Sequence, residues 1–323
     1  MTRYCVIAAL LFTAAYCLSS CAGQTVAPPG AGTITAQGGD TAGGASSVPV
    51  SGDEHPTAPL ETTAHKIEYP PIDVSDAPSG EFFITRGDFT PSPALTERIN
   101  SAIVGDVFRT GFYLEAIDGS VAMGYNPNLI FPGASTIKAA VALYAYREIE
   151  EGRVSFDEAI GGQTLGSLLD RMLRFSDNNA YHALRDRFGK ENINVMLAEL
   201  GCPAFILKPN YDWGSATPAQ AAALWRGIYD FYANSGNGAL FIGQMAEAVN
   251  NYAMKALGKY TIPHKYGYMR DDYPVFAVNC MVLKDEGRSY IYAYFTDADW
   301  DDNNLGEVLR ALDEIMLEFD AFF

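Results

Sequence analysis

Positive charge is scarce in this chain. Lysine and arginine together number 22, against 39 aspartates and glutamates, for a formal net charge of -17. Such a surface has no basic face to neutralise phosphates, which sets nucleic acid aside as a partner. It also gives anionic lipid nothing to attract. Histidine is scarcer still, with four scattered residues, and no Cys/His spacing suggests a zinc site. No glycine-rich loop follows a strand in the way nucleotide binding requires. No cofactor or metal is therefore expected. What the chain does have is apolar material: 48% of its 323 residues are hydrophobic and 12% aromatic, enough for a substantial core.

The amino end is distinctive. Arg3 supplies a short positive start, and residues 4–18 form an almost unbroken apolar run. That length suits a signal peptide and is short for a spanning helix. The run ends in Leu18-Ser19-Ser20-Cys21, which resembles a bacterial lipoprotein processing site. The resemblance implies a signal peptide over residues 1–20, cleavage before Cys21, and a diacylglycerol on its thiol. The protein is then expected to be exported and lipid-anchored to the cell membrane in a bacterial envelope. Cys5 and Cys17 leave with the signal peptide, so Cys202 and Cys280 remain. An exported compartment would permit a disulfide between them. Two buried free thiols are equally compatible with the sequence.

Residues 21–80 are rich in Gly, Ala, Thr, Ser and Pro and have no apolar period. Such a segment buries too little to offset its conformational entropy, and reads as a disordered tether. From residue 81 onward the pattern is globular. Apolar spacing predicts helices over 91–104, 135–151, 164–175, 179–188, 191–200, 218–233, 243–257 and 304–319. Residues 108–117 and 120–125 read as a hairpin around Asp118-Gly119. Strands are expected at 260–267, 274–283 and 289–296, with a short extended lead-in at 82–85. Strands at both ends with helices between them imply an α+β fold. Its antiparallel sheet is assembled from distant segments, with an all-helical subdomain inserted. A cleft between the two is the natural place for a site.

Three short elements carry chemistry. Ser135-Thr136-Ile137-Lys138 puts a hydroxyl and an amine one helical turn apart, on one face. A serine is a poor nucleophile until a base takes its proton, and a lysine can be that base if burial lowers its pKa. The apolar helix that follows places Lys138 at the start of a buried element. Ser176-Asp177-Asn178 is the second element; taken alone it also reads as a helix-ending turn. His264-Lys265-Tyr266-Gly267 is the third, and alone it also reads as an edge strand with a protective lysine.

All three together, in this order, resemble the class A serine β-lactamases and the related penicillin-binding peptidases, whose motifs are S-x-x-K, S-D-N and K-T-G. Gly124-Tyr125-Asn126-Pro127, Phe131-Pro132 and Thr217-Pro218 extend the likeness, which covers the chain from about residue 92 onward. The resemblance implies that Ser135 attacks the carbonyl of a β-lactam or of a D-alanyl peptide bond to form an acyl-enzyme. Lys138 would accept or relay the proton, and Ser176 would pass one to the leaving nitrogen. Asn178 would hold the substrate amide and Lys138. Lys265 would supply charge for the substrate carboxylate and for Ser176. The backbone N–H groups of Ser135 and Tyr268 would form the oxyanion hole.

Two departures from the family pattern matter. Tyr266 stands where the family has Thr or Ser, so Arg270, just beyond Gly267, is a candidate for carboxylate binding. The loop 201–216 has no glutamate to activate the deacylating water. Asp212 is its one carboxylate, and Asn210 is its neighbour. The expected activity is a serine acyl-hydrolase of class A β-lactamase type, acting as a monomer on a β-lactam or a peptidoglycan stem peptide. A D-alanyl-D-alanine peptidase with slow deacylation is one alternative. A tethered binding lipoprotein without turnover is another.

Overall fold

The computed structural model describes residues 72–323, apart from residues 86–88, 104–107, 203–206, 208–212, 271–273 and 299–303. The chain divides into two units, 1–60 and 61–323, and all described residues belong to the second. The signal-peptide run, Cys21, most of the proposed tether, Asn210 and Asp212 therefore lie outside the described residues. Residues 72–80, which composition assigned to the tether, pack onto the folded part. Val74 is buried, its carbonyl accepts from Asn128 Nδ2 at 2.7 Å, and Gly80 N–H donates to Asn126 Oδ1 at 2.8 Å.

The elements run in chain order as β1 (Phe82–Thr85), α1 (Pro93–Ala102), β2 (Thr110–Ala116), β3 (Ala122–Tyr125) and β4 (Phe131–Pro132). A 3-10 turn (Ala134–Ile137) leads into α2 (Lys138–Glu150), and then come β5 (Ala159–Ile160), β6 (Gln163–Thr164) and α3 (Leu165–Arg174). Next are α4 (Asn178–Phe188), α5 (Lys190–Glu199), β7 (Ser215–Ala216) and α6 (Pro218–Asn234). The chain continues through α7 (Gly238–Ala246), α8 (Tyr252–Leu257), β8 (His264–Met269), β9 (Val275–Val282), β10 (Tyr290–Thr296) and α9 (Leu305–Phe322). The main sheet has six strands in the order β1-β3-β2-β10-β9-β8, every neighbouring pair antiparallel. The α+β reading of the sequence holds: strands from the two ends of the folded part meet in one sheet, and α2 to α8 fall between them in sequence.

Alternation along β9 explains the layers. Val275, Ala277 and Met281 join the core with α2, α3, α4 and α6, while Phe276, Val278, Cys280 and Val282 join the core with α1 and α9. Strands buried on both faces read as near-continuous apolar runs, as β9 does apart from Asn279. Asp313 of α9 is anchored against the second face, accepting from Tyr290 OH at 3.1 Å and pairing with Lys284 at 2.7 Å.

The expected helix 243–257 is two helices, α7 and α8. Asn250 adopts φ 61°, and Asn251 caps α8 by accepting from Met254 N–H at 2.9 Å. Asparagine tolerates the left-handed region and competes with the helix through its side chain, which apolar spacing does not register. The break lets Val249 N–H donate to Arg174 O at 3.0 Å, tying this corner to the end of α3. Cys202 and Cys280 are both buried free thiols and sit in different cores, one on each face of the sheet.

Candidate active site

The turn that carries Ser135 is held from two sides. β4 pairs with β7, and Gly133 N–H donates to Gly214 O at 3.1 Å. Ala134 then takes φ 46°, a left-handed conformation that a residue with a Cβ adopts at a cost of roughly 1–2 kcal/mol. The helix expected to begin at Ser135 is therefore a 3-10 turn through Ile137, and α2 proper starts at Lys138. On the other side β8 runs against this turn. A Cβ on Gly267 would stand 2.9 Å from Ser135 N and 2.9 Å from Ala134 Cβ. The glycine of the third motif is there because nothing larger fits between the strand and the turn. That approach brings the Ser135 N–H beside the Gly267–Tyr268 backbone, where the sequence placed the oxyanion hole.

Lys138 opens α2 fully buried, and Lys265 on β8 is 1% exposed. The second motif lies between them. Ser176 follows α3 at φ 56°, a further left-handed residue. Asp177 then caps α4, accepting from Asn179 N–H at 2.8 Å and Ala180 N–H at 3.0 Å, and pairs with Arg171. The turn reading of Ser176-Asp177-Asn178 holds, and the capped turn is what aims the two outer side chains at Lys138. Lys138 Nζ donates to Ser176 O at 2.6 Å, to Asn178 Oδ1 at 2.6 Å and to Ser176 Oγ at 3.1 Å. Lys265 Nζ donates to the same Ser176 Oγ at 3.0 Å and to Tyr266 O at 2.9 Å. The structure therefore brings Ser135, Lys138, Ser176, Asn178, Lys265 and Gly267 into one cluster.

Electrostatics suits the cluster to proton transfer. Burial lowers the Lys138 ammonium to about 8, opposed by the charge of Asp177. Burial, with Lys138 as a like-charged neighbour, pushes Lys265 well below the ordinary lysine range. Two amines share one hydroxyl in a dry site, so both cannot hold a proton at little cost. A neutral Lys138 has a lone pair for the Ser135 proton, and Ser176 Oγ links it to the second amine. Two of the described histidines stand near: His182 on α4, its ring 5.2 Å from that of Tyr181 and 6.2 Å from that of Trp213, and His264, next to Lys265 along the strand. His264 is buried and held neutral, lowered to about 3 by burial and by the Lys265 charge.

The remaining candidates are placed as follows. Tyr266 packs edge-on to Tyr252 at 5.6 Å, and its hydroxyl takes a hydrogen bond from Asn250 Nδ2 at 3.4 Å. The Lys265 ammonium lies 4.6 Å from its ring centroid. Arg270 is exposed at the end of β8, its guanidinium 5.9 Å from the Tyr268 ring centroid.

Sequence reasoning passed over the aromatic side of the site. Trp213 and Tyr181 stack at 5.2 Å and 17°, and Lys138 Nζ lies 5.5 Å from the Trp213 centroid and 5.8 Å from that of Tyr181. Tyr181 had a local signal, one helical turn after Asn178 on α4. Trp213 had none. Asn279, fully buried, stands directly across from Lys265 in the β8–β9 register, a pairing visible only in the sheet.

Known proteins align with this geometry. The β-lactamase of Sphaerobacter thermophilus superposes with a TM-score of 0.59 at 18% identity, over 69% of this chain and 96% of that one. The β-lactamase of Streptosporangium roseum gives 0.62 at 16%, over 70% and 100%. PBP-A gives 0.59 at 21%, over 74% and 99%. A mutant of PBP-A, solved as its acyl-enzyme complex with penicillin G, gives 0.58 at 21%, over 71% and 95%. These identities speak to the fold, which is that of the serine β-lactamases. No curated protein matches the sequence. The model of the beta-lactamase enzyme family matches residues 94–317, and with the site built as above, the chain belongs to that family.

Proposed function

We propose that the protein is a serine acyl-transfer enzyme that opens β-lactams by forming an acyl-enzyme on Ser135. The observation that carries this reading is the shared hydroxyl: Lys138 and Lys265 both bond Ser176 Oγ beside the nucleophile turn. In the first step neutral Lys138 takes the Ser135 proton as Oγ bonds to the lactam carbonyl carbon. The C–N bond then breaks, and the leaving nitrogen takes a proton by way of Ser176. Charge on the carbonyl oxygen meets the N–H groups of Ser135 and Tyr268, which is where such donors act most strongly. Lys265, with Arg270 at the strand end, supplies positive charge for a substrate carboxylate.

A second reading, a D-alanyl peptidase with slow deacylation, has its own support. Among the described residues no carboxylate bonds to Lys138; its polar partners are Ser176 and Asn178. Intact mass of the detergent-solubilised full chain, followed after penicillin G is added, separates the readings. A transient adduct with turnover supports the β-lactamase, and a persistent adduct on Ser135 supports the peptidase. No adduct, and no hydrolysis that depends on Ser135, leaves only a binding protein. We propose further that Cys21 anchors the chain to a bacterial membrane after export. Support is the sequence around it, and Cys21→Ser should move the protein out of the membrane fraction. Unchanged fractionation would count against the anchor.

A further inference from the structure

We infer that Trp213, stacked with Tyr181 over the Lys138 amine, keeps hydrolytic water from the acyl ester on Ser135 and so sets how long the acyl group stays there. The inference rests on the acyl-enzyme reading above and deepens it.

The geometry begins at Lys138. Its three polar contacts all come from the 176–178 turn. Rings close a further flank, with Tyr181 and Trp213 centroids 5.8 and 5.5 Å from Nζ. Tyr181 is wholly buried, whereas Trp213 is only partly so. The indole is therefore the ring of the pair that reaches solvent. Its position is tied to the nucleophile. Trp213 precedes Gly214, whose carbonyl accepts from Gly133 N–H, and β7, which pairs with β4 just before Ser135. The stack at 17° further restrains the indole through the core residue Tyr181.

Hydrolysis of the ester needs one water. Its oxygen bonds to the acyl carbon, the bond from that carbon to Ser135 Oγ breaks, and the acid leaves. A base takes a proton from the water and returns one to Oγ. Lys138 is the amine placed to do both, but only if a water can sit against it. A pocket beside an amine and an amide is polar enough to hold water once there is room. On this reading the indole takes that room. Its distance of 5.5 Å is near the outer limit of cation–π attraction, so exclusion of water outweighs the direct pull of the ring on the charge.

The test uses the full chain, penicillin G and two readouts. Intact mass gives the lifetime of the Ser135 adduct. NMR of lysine labelled at Cε gives the Lys138 titration in the free protein, assigned by its loss in Lys138→Met. Trp213→Ala should shorten the adduct lifetime at least tenfold, and should move the Lys138 titration upward by half a unit or more as water enters. Trp213→Phe keeps a ring and should stay within threefold of the parent. Trp213→Val should fall between them, and decides the matter if Trp213→Ala does not fold. A lifetime within twofold of the parent in Trp213→Ala, or an unmoved Lys138 titration, overturns the inference. If the parent forms no adduct, the acyl-enzyme reading fails by itself. The titration then still decides whether Trp213 keeps Lys138 dry.

Discussion

Gly267→Ala tests the closeness of the strand to the nucleophile turn. The new Cβ would meet Ser135 N at 2.9 Å, Ala134 Cβ at 2.9 Å and Gly133 O at 3.2 Å, where ordinary contact begins at 3.4 Å. Two of the three atoms are backbone, and the third belongs to a residue already at φ 46°, so no rotamer change relieves the overlap. β8 and the turn must separate by about 0.5 Å, an overpacking of the kind that costs about 1–3 kcal/mol. Part of that appears as lost stability, measurable by urea unfolding. The rest appears at the proposed oxyanion hole, because the separation moves the Tyr268 backbone away from the Ser135 N–H. Removing one such donor slows acyl transfer about 10²–10³-fold, so a partial misalignment should slow acylation roughly 10- to 100-fold. Stopped-flow acylation with a chromogenic cephalosporin reads this directly. Acylation within twofold of the parent would refute the view that close contact with β8 aligns the hole. Gly243→Ala is the matched control: it lies in α7 with nothing within 4 Å of its added Cβ. It should leave acylation unchanged and raise stability by up to about 1 kcal/mol.

Other outcomes follow from the same geometry. Acylation should rise with pH through about 8 as Lys138 loses its proton, and Lys138→Met should lower the rate about 10²–10⁴-fold and flatten the profile. The linked stability has a definite sign. Between about 8 and the ordinary value of 10.5 the unfolded chain holds a proton on this lysine that the folded chain has lost, so stability should increase with pH across that window. A parent chain showing no such rise relative to Lys138→Met in urea titrations would count against a lowered Lys138. Asp177→Ala removes the cap of α4, worth about 1 kcal/mol, and removes the charge that holds Lys138 up. Its acylation profile should move to lower pH, and a move upward would contradict the assigned sign. Cys202 and Cys280 are buried, and burial pushes the Cys202 thiol up to about 12, so neither should react with iodoacetamide until urea unfolds the chain. Labelling of the native protein at the rate of an exposed thiol would place them wrongly.

Much of this protein was legible in its residues. Helix and strand periods are local, so the α+β order, most elements and the three motifs could be read directly. Ser135 with Lys138 needed only the spacing of one helical turn. The break between α7 and α8 was not legible, because asparagine side chains at 250 and 251 decide it against the apolar pattern. The 3-10 turn at Ser135 was not legible either, because β7, through Gly214, and β8, at Gly267, both distant along the chain, hold it from two sides. The sequence by itself determined which groups stand together for the proposed acyl transfer: a hydroxyl, two lysines and a capped turn in order along the chain. Only the tertiary structure decided their charge states and their surroundings. A lysine is a base only when burial makes its cation unfavourable, and burial is a property of the packed molecule. Trp213 shows the same division: nothing in its neighbours along the chain marks it, and only packing sets its ring beside the amine of Lys138.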